Sequence, residues 1–324
     1  MPRPTIGIIG MGPVGTILAA HLVNSEEDVV VEDIYKPLLF RIRDEGLKVS
    51  GIKGLTEDIS VEIDETKTAT SISELADYEL GMLFIATKAC FLKDILPELK
   101  QIHKPEMKIV SYQNGLDNEQ KIVEALGIDT AYRVVINYAG SLVAYGETRM
   151  NWFQPPNYVG ALHKGKYTID DTTKYIAEIM TTSRLKTEET PDIKKHVWEK
   201  TILNSALCSI CGMTGQTMKE AMEYEDSCDL AVKILKEGLE VAKADGYDFG
   251  IEALSRFTSY LEKGGAHKPS MRVDVEKENP TEVEFMSGAI ARVGELYGVP
   301  TPVNSTLTKL LKASQHRYLS HKKK

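Results

Sequence analysis

The chain is short of the residues that mark several whole classes of protein. Its 324 residues hold four cysteines, Cys90, Cys208, Cys211 and Cys228, too few and too scattered for a disulfide framework. Cys208 and Cys211 form a CxxC, but no second pair completes a zinc site. Their surroundings, LNSALCSICGM, read as an apolar helix in which both thiols pack as small hydrophobes, so no metal is expected. Positive charge is also lacking: 39 Lys and Arg against 47 Asp and Glu leave a net charge of −8. That balance argues against nucleic acid as a partner, because phosphate binding needs a concentrated basic face. The one basic block, His321-Lys322-Lys323-Lys324, reads as a solvated tail. Internal repeats and low-complexity linkers are absent. Residues 5 to 23 form an apolar stretch free of Asp, Glu, Lys and Arg over about a bilayer's length. Gly7, Gly10, Gly12, Pro13 and Gly15 interrupt it, and neither a basic leader nor a small-residue cleavage site accompanies it. The expectation is a soluble, cytoplasmic protein without a membrane segment.

That same stretch is the most informative part of the chain. Residues 5 to 33 read TIGIIGMGPVGTILAAHLVNSEEDVVVED: an apolar strand, a glycine turn, an apolar helix and a second strand ending in acid. This is the pattern of a dinucleotide-binding βαβ unit. Gly10 turns the chain out of the strand, Gly12 lets backbone approach a pyrophosphate, and Gly15 lets the helix pack on the sheet. Met11, Pro13 and Val14 complete the turn, and the helix N-terminus offers N–H groups to an anion. Asp33, about 20 residues on, is placed to bind a ribose diol.

Apolar runs alternate with amphipathic stretches to about residue 130, the pattern of a parallel sheet wrapped by helices. Lys36-Pro37 opens a helix ending near Gly46, and LKVSG and DISVEID read as extended edge segments. GMLFIAT and MKIVSYQNG read as buried strands. Between them, FLKDILPELKQI reads as a helix kinked or broken at Pro97. RVVINYAG, SLVAYGETRM and NYVGAL predict antiparallel strands added to the sheet edge. Beyond Pro191 nearly everything reads as helix, punctuated near Gly212, Gly246, Gly264-Gly265 and Pro300-Thr301-Pro302. The expected architecture is α/β, with a Rossmann-type domain over 1–190, an all-helical domain over 191–324, and ligands at the carboxyl ends of the strands.

Several polar residues interrupt these patterns. The two strand ends deliver Thr87-Lys88 and Gln113-Asn114-Gly115, either a cofactor-binding device or a solvated lysine and an ordinary Asn-Gly turn. On the first long helix after Pro191, Lys200, Asn204 and Cys208 recur every four residues and share a face. Lysine and asparagine are costly to bury without partners, so the stripe is expected to border a polar cavity. Lys200 alone also fits a surface position, and His196 reads as a helix-surface histidine. In PSMRVDVEKENPTEVEFMSG, Ser270, Asp274, Thr281 and Glu282 surround Asn279-Pro280, where Asn279 or Thr281 is expected to cap a new helix.

Taken in order, GMGPVG, ATKAC, SYQNG, WEKTILN, PSMRVD, PTEVEFMSGAI and GVPTPVNSTL resemble the ketopantoate reductase family from residue 5 to about 305. The resemblance implies a Rossmann domain followed by a helical domain of the 6-phosphogluconate dehydrogenase type. It implies reduction of ketopantoate to pantoate, on the route to pantothenate and coenzyme A, with a nicotinamide cofactor. Lys200 is then the general acid and Glu282 its assistant, which also meets the cofactor. Lys88 and Asn114 hold the nicotinamide ribose and substrate, and Asn204 and Ser270 bind substrate.

Two positions depart from the family pattern. Cys208 stands at the substrate-binding position where relatives place a second asparagine, and a thiol is a poor partner for a substrate hydroxyl. A related 2-hydroxyacid or opine-type dehydrogenase acting on another 2-oxo acid therefore stays open. The strand end reads VVVEDIYK, with Glu32 and Asp33 where relatives that use NADPH have an arginine close by. Carboxylates there bind the ribose diol and repel a 2′-phosphate, so NAD(H) is favoured over NADP(H), with Lys36 leaving dual use open. A nucleotide-sensing regulator is disfavoured because Lys200, Asn204, Ser270 and Glu282 are all present. A homodimer is compatible with everything above.

Overall fold

The structure is a computed structural model and describes residues 3–322; Lys323 and Lys324 of the basic block lie outside it. The chain divides into two compact units. One comprises residues up to Gln113 with Asp117–Lys194, the other Asn114–Leu116 with Lys195 onward.

The first unit runs β1 (Thr5–Ile9), α1 (Pro13–Asn24), β2 (Val29–Glu32), α2 (Lys36–Glu45), β3 (Leu47–Ser50), β4 (Ile59–Val61), β5 (Thr68–Ala69), β6 (Leu80–Ile85), α3 (Leu92–Ile102), β7 (Lys108–Ser111), α4 (Asn118–Leu126), β8 (Thr130–Val135), β9 (Tyr138–Ala144), β10 (Glu147–Phe153), β11 (Asn157–His163), β12 (Lys166–Thr168), α5 (Asp171–Thr182) and β13 (Thr187–Glu189). Among the described residues the main sheet has the order β12-β11-β8-β7-β6-β1-β2-β5, with β13 beside β11. From β5 to β8 every pairing is parallel. Beyond β8, β11 pairs antiparallel with both β8 and β12, and β13 pairs parallel with β11.

Two expectations are corrected here. RVV lies in β8, parallel to β7. LKVS and SLVAYGETRM do not extend the main sheet but form a second one, β4-β3-β10-β9, with β3 parallel to β10. That sheet has an apolar face of its own, and Val49, Ile59, Tyr138 and Met150 bury it against α1 in one core with Ile17, Leu18 and Leu22. The opposite face of the main sheet packs on α3, α4 and the 3-10 turn Ile72–Asp77. α3 runs through Pro97 without a break, because Leu92, Leu96 and Leu99 keep one apolar stripe on the sheet.

The second unit is helical: α6 (Ile193–Thr214, whose first two residues belong to the sheet unit), α7 (Met218–Glu223), α8 (Glu225–Ala244), α9 (Ala253–Glu262), α10 (Ser270–Glu276), α11 (Ser287–Tyr297) and α12 (Pro302–Lys322). α6 passes through Gly212, which sits against Met271 and Leu311, and stops at Gly215. Fully buried Trp198 donates its indole N–H to Asp245 at 2.9 Å, fixing the roll of α6. Buried Glu237 accepts the N–H groups of Val303 and Asn304 at 2.8 and 2.9 Å, satisfying orphan donors in the first turn of α12. α12 continues through His321 and Lys322, whose ammonium donates to the carbonyls of Lys277 and Glu278 at 3.0 Å each. That half of the basic block is therefore structured rather than a loose tail.

Neither Asn279 nor Thr281 caps a helix. Thr281 gives its N–H and hydroxyl to Gln315 at 2.8 Å each, and a 3-10 turn, Val283–Phe285, precedes α11. Among the described residues, no helix is long and apolar enough to cross a membrane, and no group of three His, Cys, Asp or Glu is placed to hold a metal.

Candidate functional site

In the sheet unit the candidate residues gather at the carboxyl ends of β1, β2 and β6. Gly10 has φ +92°, and a Cβ there would meet Thr87 at 2.7 Å, so only glycine fits the turn. A Cβ on Gly15 would lie 2.0 Å from the Gly10 carbonyl, so α1 can start this close to β1 only without one. Gly12 differs. A Cβ on it would meet nothing within 4 Å. It caps α1 with no side-chain hydrogen bond, and Pro13 stands at the first helical positions. The open space and the unbonded amides of the first turn form a cradle that fits a dinucleotide's pyrophosphate. Val14 and Pro13 are half-buried around it.

Asp33 is held in place by that loop. One carboxylate oxygen accepts the Met11 N–H at 2.8 Å and the other the Tyr35 N–H at 2.8 Å. Met11 contributes through its backbone, since its side chain is fully buried. A carboxylate has about four acceptor positions, so two remain for a ribose diol. Glu32 departs from the sequence expectation. It is 2% exposed and points into the opposite core. Burial, with Asp33, Glu98 and Glu74 nearby, pushes its carboxyl up to about 8. Mostly protonated at pH 7, it carries little negative charge at the end of β2. Beyond it Ile34 is 82% exposed, and no cation occupies the position.

Half-buried Lys88 starts the short 3-10 turn Ala89–Phe91 after β6. Gln113, at the end of β7, donates to the carbonyl and hydroxyl of Thr87 at 3.0 and 3.2 Å, tying the two strand ends together.

The helical unit gathers a second set. Lys200 and Asn204 are half-buried on α6, and Cys208 follows on the same face at 7% exposure. Cys208 packs with Met271, Val283, Met286 and Leu311. Burial first, then the charges of Cys211, Glu282 and Asp274, pushes its thiol up to about 12, while the Met271 N–H donates to its sulfur. Cys208 lies within the field of Glu282 and Asp274, both buried acids. It engages the first turn of α10, which begins with exposed Ser270.

Asn114 joins this set rather than the sheet. The Leu116 N–H donates to the Phe285 carbonyl at 3.1 Å, and a Cβ on Gly115, where φ is +94°, would strike Phe285 at 2.6 Å. The Asn-Gly turn is seated against the 3-10 turn that Glu282 opens. Asp274, which follows Ser270 by four residues within one turn of α10, is buried.

Open helix N-terminus, glycine turn, braced acid and a separate helical unit with a buried acid cluster define a nicotinamide-dependent oxidoreductase of the Rossmann-plus-helical class. Family models bear this out: "Ketopantoate reductase PanE/ApbA" matches residues 6–163 and "Ketopantoate reductase PanE/ApbA C terminal" residues 192–315. The chain belongs to the ketopantoate reductase family. It is 26% identical to a 2-dehydropantoate 2-reductase of Pyrococcus abyssi over 96% of this chain and 97% of that one. Its fold is similar to that of a PanE/ApbA family ketopantoate reductase from Ralstonia eutropha, with TM-score 0.85, 18% identity and coverage of 97% and 99% of the two chains. It is also similar to D-mandelate dehydrogenase solved with NADH and anilino(oxo)acetate, with TM-score 0.83, 20% identity and the same coverage.

Proposed function

We propose that this chain reduces ketopantoate to pantoate with NADH favoured over NADPH. When bound, the nicotinamide supplies a hydride to C2 of the 2-oxo acid. Charge then develops on the carbonyl oxygen, where the Lys200 ammonium stabilises it and delivers the proton that completes the alcohol. Glu282 orients that ammonium and meets the nicotinamide ribose. Asn204 and Ser270 offer neutral donors to the substrate's carboxylate and hydroxyl without the cost of burying another charge. Asn114 and Lys88 hold the ribose and substrate from the ends of β7 and β6. Asp33 receives the adenosine ribose and disfavours a 2′-phosphate. The four free cysteines suit the reducing cytoplasm.

The observation that carries this reading is the seating of the Asn114 turn against the segment that presents Glu282, through the Leu116–Phe285 bond. It puts a strand-end amide and a buried acid into one unit, as joint handling of ribose and substrate requires. A second reading, reduction of a 2-oxo acid lacking the hydroxymethyl group, draws on one fact: the Cys208 sulfur is taken up by the Met271 N–H inside an apolar cluster. A panel of 2-oxo acids with NADH and NADPH, followed at the nicotinamide absorbance, tests both. Ketopantoate with NADH is expected to show the highest kcat/KM. A higher value for 3,3-dimethyl-2-oxobutanoate would favour the second reading, and a higher value with NADPH would overturn the cofactor assignment.

A further inference from the structure

Glu32 is a buried acid that none of the chemistry above uses. Its side chain is 2% exposed, and Oε1 has no hydrogen-bond partner. It lies on the sheet face lined by Ile9, Val30, Ile72, Leu75 and Leu96. The titratable groups whose charge reaches it are all acids: Asp33 next along the chain, Glu74 from the turn Ile72–Asp77 and Glu98 from α3. Glu74 is kept as a carboxylate by the N–H and hydroxyl of Thr70 at 2.6 and 2.7 Å, so it offers Glu32 charge and no proton. The nearby cation, Lys36, acts on Glu74. An acid in such a place is stable only as the neutral carboxyl.

Its position in the chain makes this consequential. The Glu32 carbonyl accepts the Gly10 N–H at 2.8 Å, and the following Asp33 accepts the Met11 N–H at 2.8 Å. Two successive residues at the end of β2 therefore hold two successive residues of the glycine turn. Movement of the Glu32 side chain out of its pocket pulls on both ties.

We propose that Glu32 is a proton-dependent positioning residue for the dinucleotide: its neutral carboxyl seats the end of β2, and loss of the proton withdraws Asp33 and the glycine turn from their binding geometry. Ionisation places an unpaired charge among apolar side chains and three acids, and the relief available is displacement of the strand end toward water. The titration expected from its surroundings, near pH 8, lies far above that of an ordinary carboxyl. The unfolded chain therefore gives up this proton at lower pH than the folded one. Stability falls as pH rises from the ordinary carboxylate range toward about 8 and levels off above it.

This inference rests on nicotinamide dinucleotide binding by the sheet unit, and the test separates the two. NADH affinity is measured by fluorescence titration between pH 6.5 and 9.5 on the full-length wild type, Glu32→Gln and the apolar isostere Glu32→Met. Wild type is expected to lose about tenfold in affinity with a midpoint near pH 8, while both variants hold within about twofold across the range. Both variants are expected to melt at higher temperature than wild type at pH 8. Affinity that is flat with pH in wild type, or that falls equally in the variants, overturns the proposal and leaves dinucleotide binding intact. No NADH binding at any pH overturns the cofactor assignment and the proposal with it. Should one variant fail to fold, the other and the wild-type profile still decide.

Discussion

In the sheet unit the cradle for a pyrophosphate is built from backbone, with the Asp33 carboxylate beside it. The first-turn amides of α1, the space over Gly12 and the bend at Gly10 need no particular side chain beyond the absence of one. In the helical unit the candidate groups are side chains: Lys200 and Asn204 half-buried, Ser270 exposed, Glu282 and Asp274 buried. The difference has a physical root. A pyrophosphate is the same in every dinucleotide and is met by a fixed dipole and amides. A developing oxyanion needs a group that can give up a proton. Binding and chemistry should therefore separate by mutation.

The largest separation is expected at Lys200. Lys200→Ala should lower kcat by about 10²–10⁴-fold, the range for loss of a positioned acid, with NADH affinity unchanged within about twofold. Steady-state kinetics and a fluorescence titration on the same preparation check it. A variant with near-normal turnover removes Lys200 from the mechanism.

Gly10→Ala should give the opposite pattern. The variant forces a side chain into φ +92° and onto Thr87 at 2.7 Å, a strain of about 1–3 kcal/mol. NADH affinity should fall roughly tenfold or more and the melting temperature should drop. Unaltered NADH affinity in the folded variant would mean the turn does not hold the cofactor.

Cys208→Asn tests whether the face of α6 is uniformly functional. An amide in the cluster of Met271, Val283, Met286 and Leu311 leaves polar atoms unpaired at about 1–3 kcal/mol. Lower thermal stability with an unchanged preference between ketopantoate and 3,3-dimethyl-2-oxobutanoate is the expected result. A gain selective for ketopantoate would place the side chain at the substrate. Consistent with burial, Cys208 and Cys211 should react with an aromatic disulfide far more slowly than half-buried Cys228.

The smallest effect is expected at Asp33. Asp33→Ala should narrow the ratio of kcat/KM between NADH and NADPH by about tenfold, about 1.4 kcal/mol, chiefly through KM. An unchanged ratio would pass cofactor selection to Lys36 or another group.

The contrast between the units also decided what the sequence could reveal. The βαβ unit was legible because its parts are neighbours: strand, turn, helix and Asp33 fall within 29 consecutive residues, and each glycine answers a constraint set nearby. The α6 face was legible because the helix repeat puts Lys200, Asn204 and Cys208 in line. What was hidden depends on partners remote in the chain. Gly115 and Phe285 meet across 170 positions, and Thr281 gives up capping to Gln315 on α12. LKVS finds β10 about a hundred residues later. Glu32 was misjudged because VVVED gives no sign that the first acid follows Val30 into the core while the second turns to the glycine loop.

The proposed reaction delivers a hydride from the bound nicotinamide to C2 of ketopantoate and a proton from Lys200 to its carbonyl oxygen. The direct measurement uses NADH deuterated at C4 on one face or the other, with ketopantoate as acceptor and mass spectrometry of the pantoate formed. The account predicts one deuterium at C2 of the product from one of the two labelled cofactors and none from the other. Pantoate formed without label from either, or no pantoate at all, would contradict it.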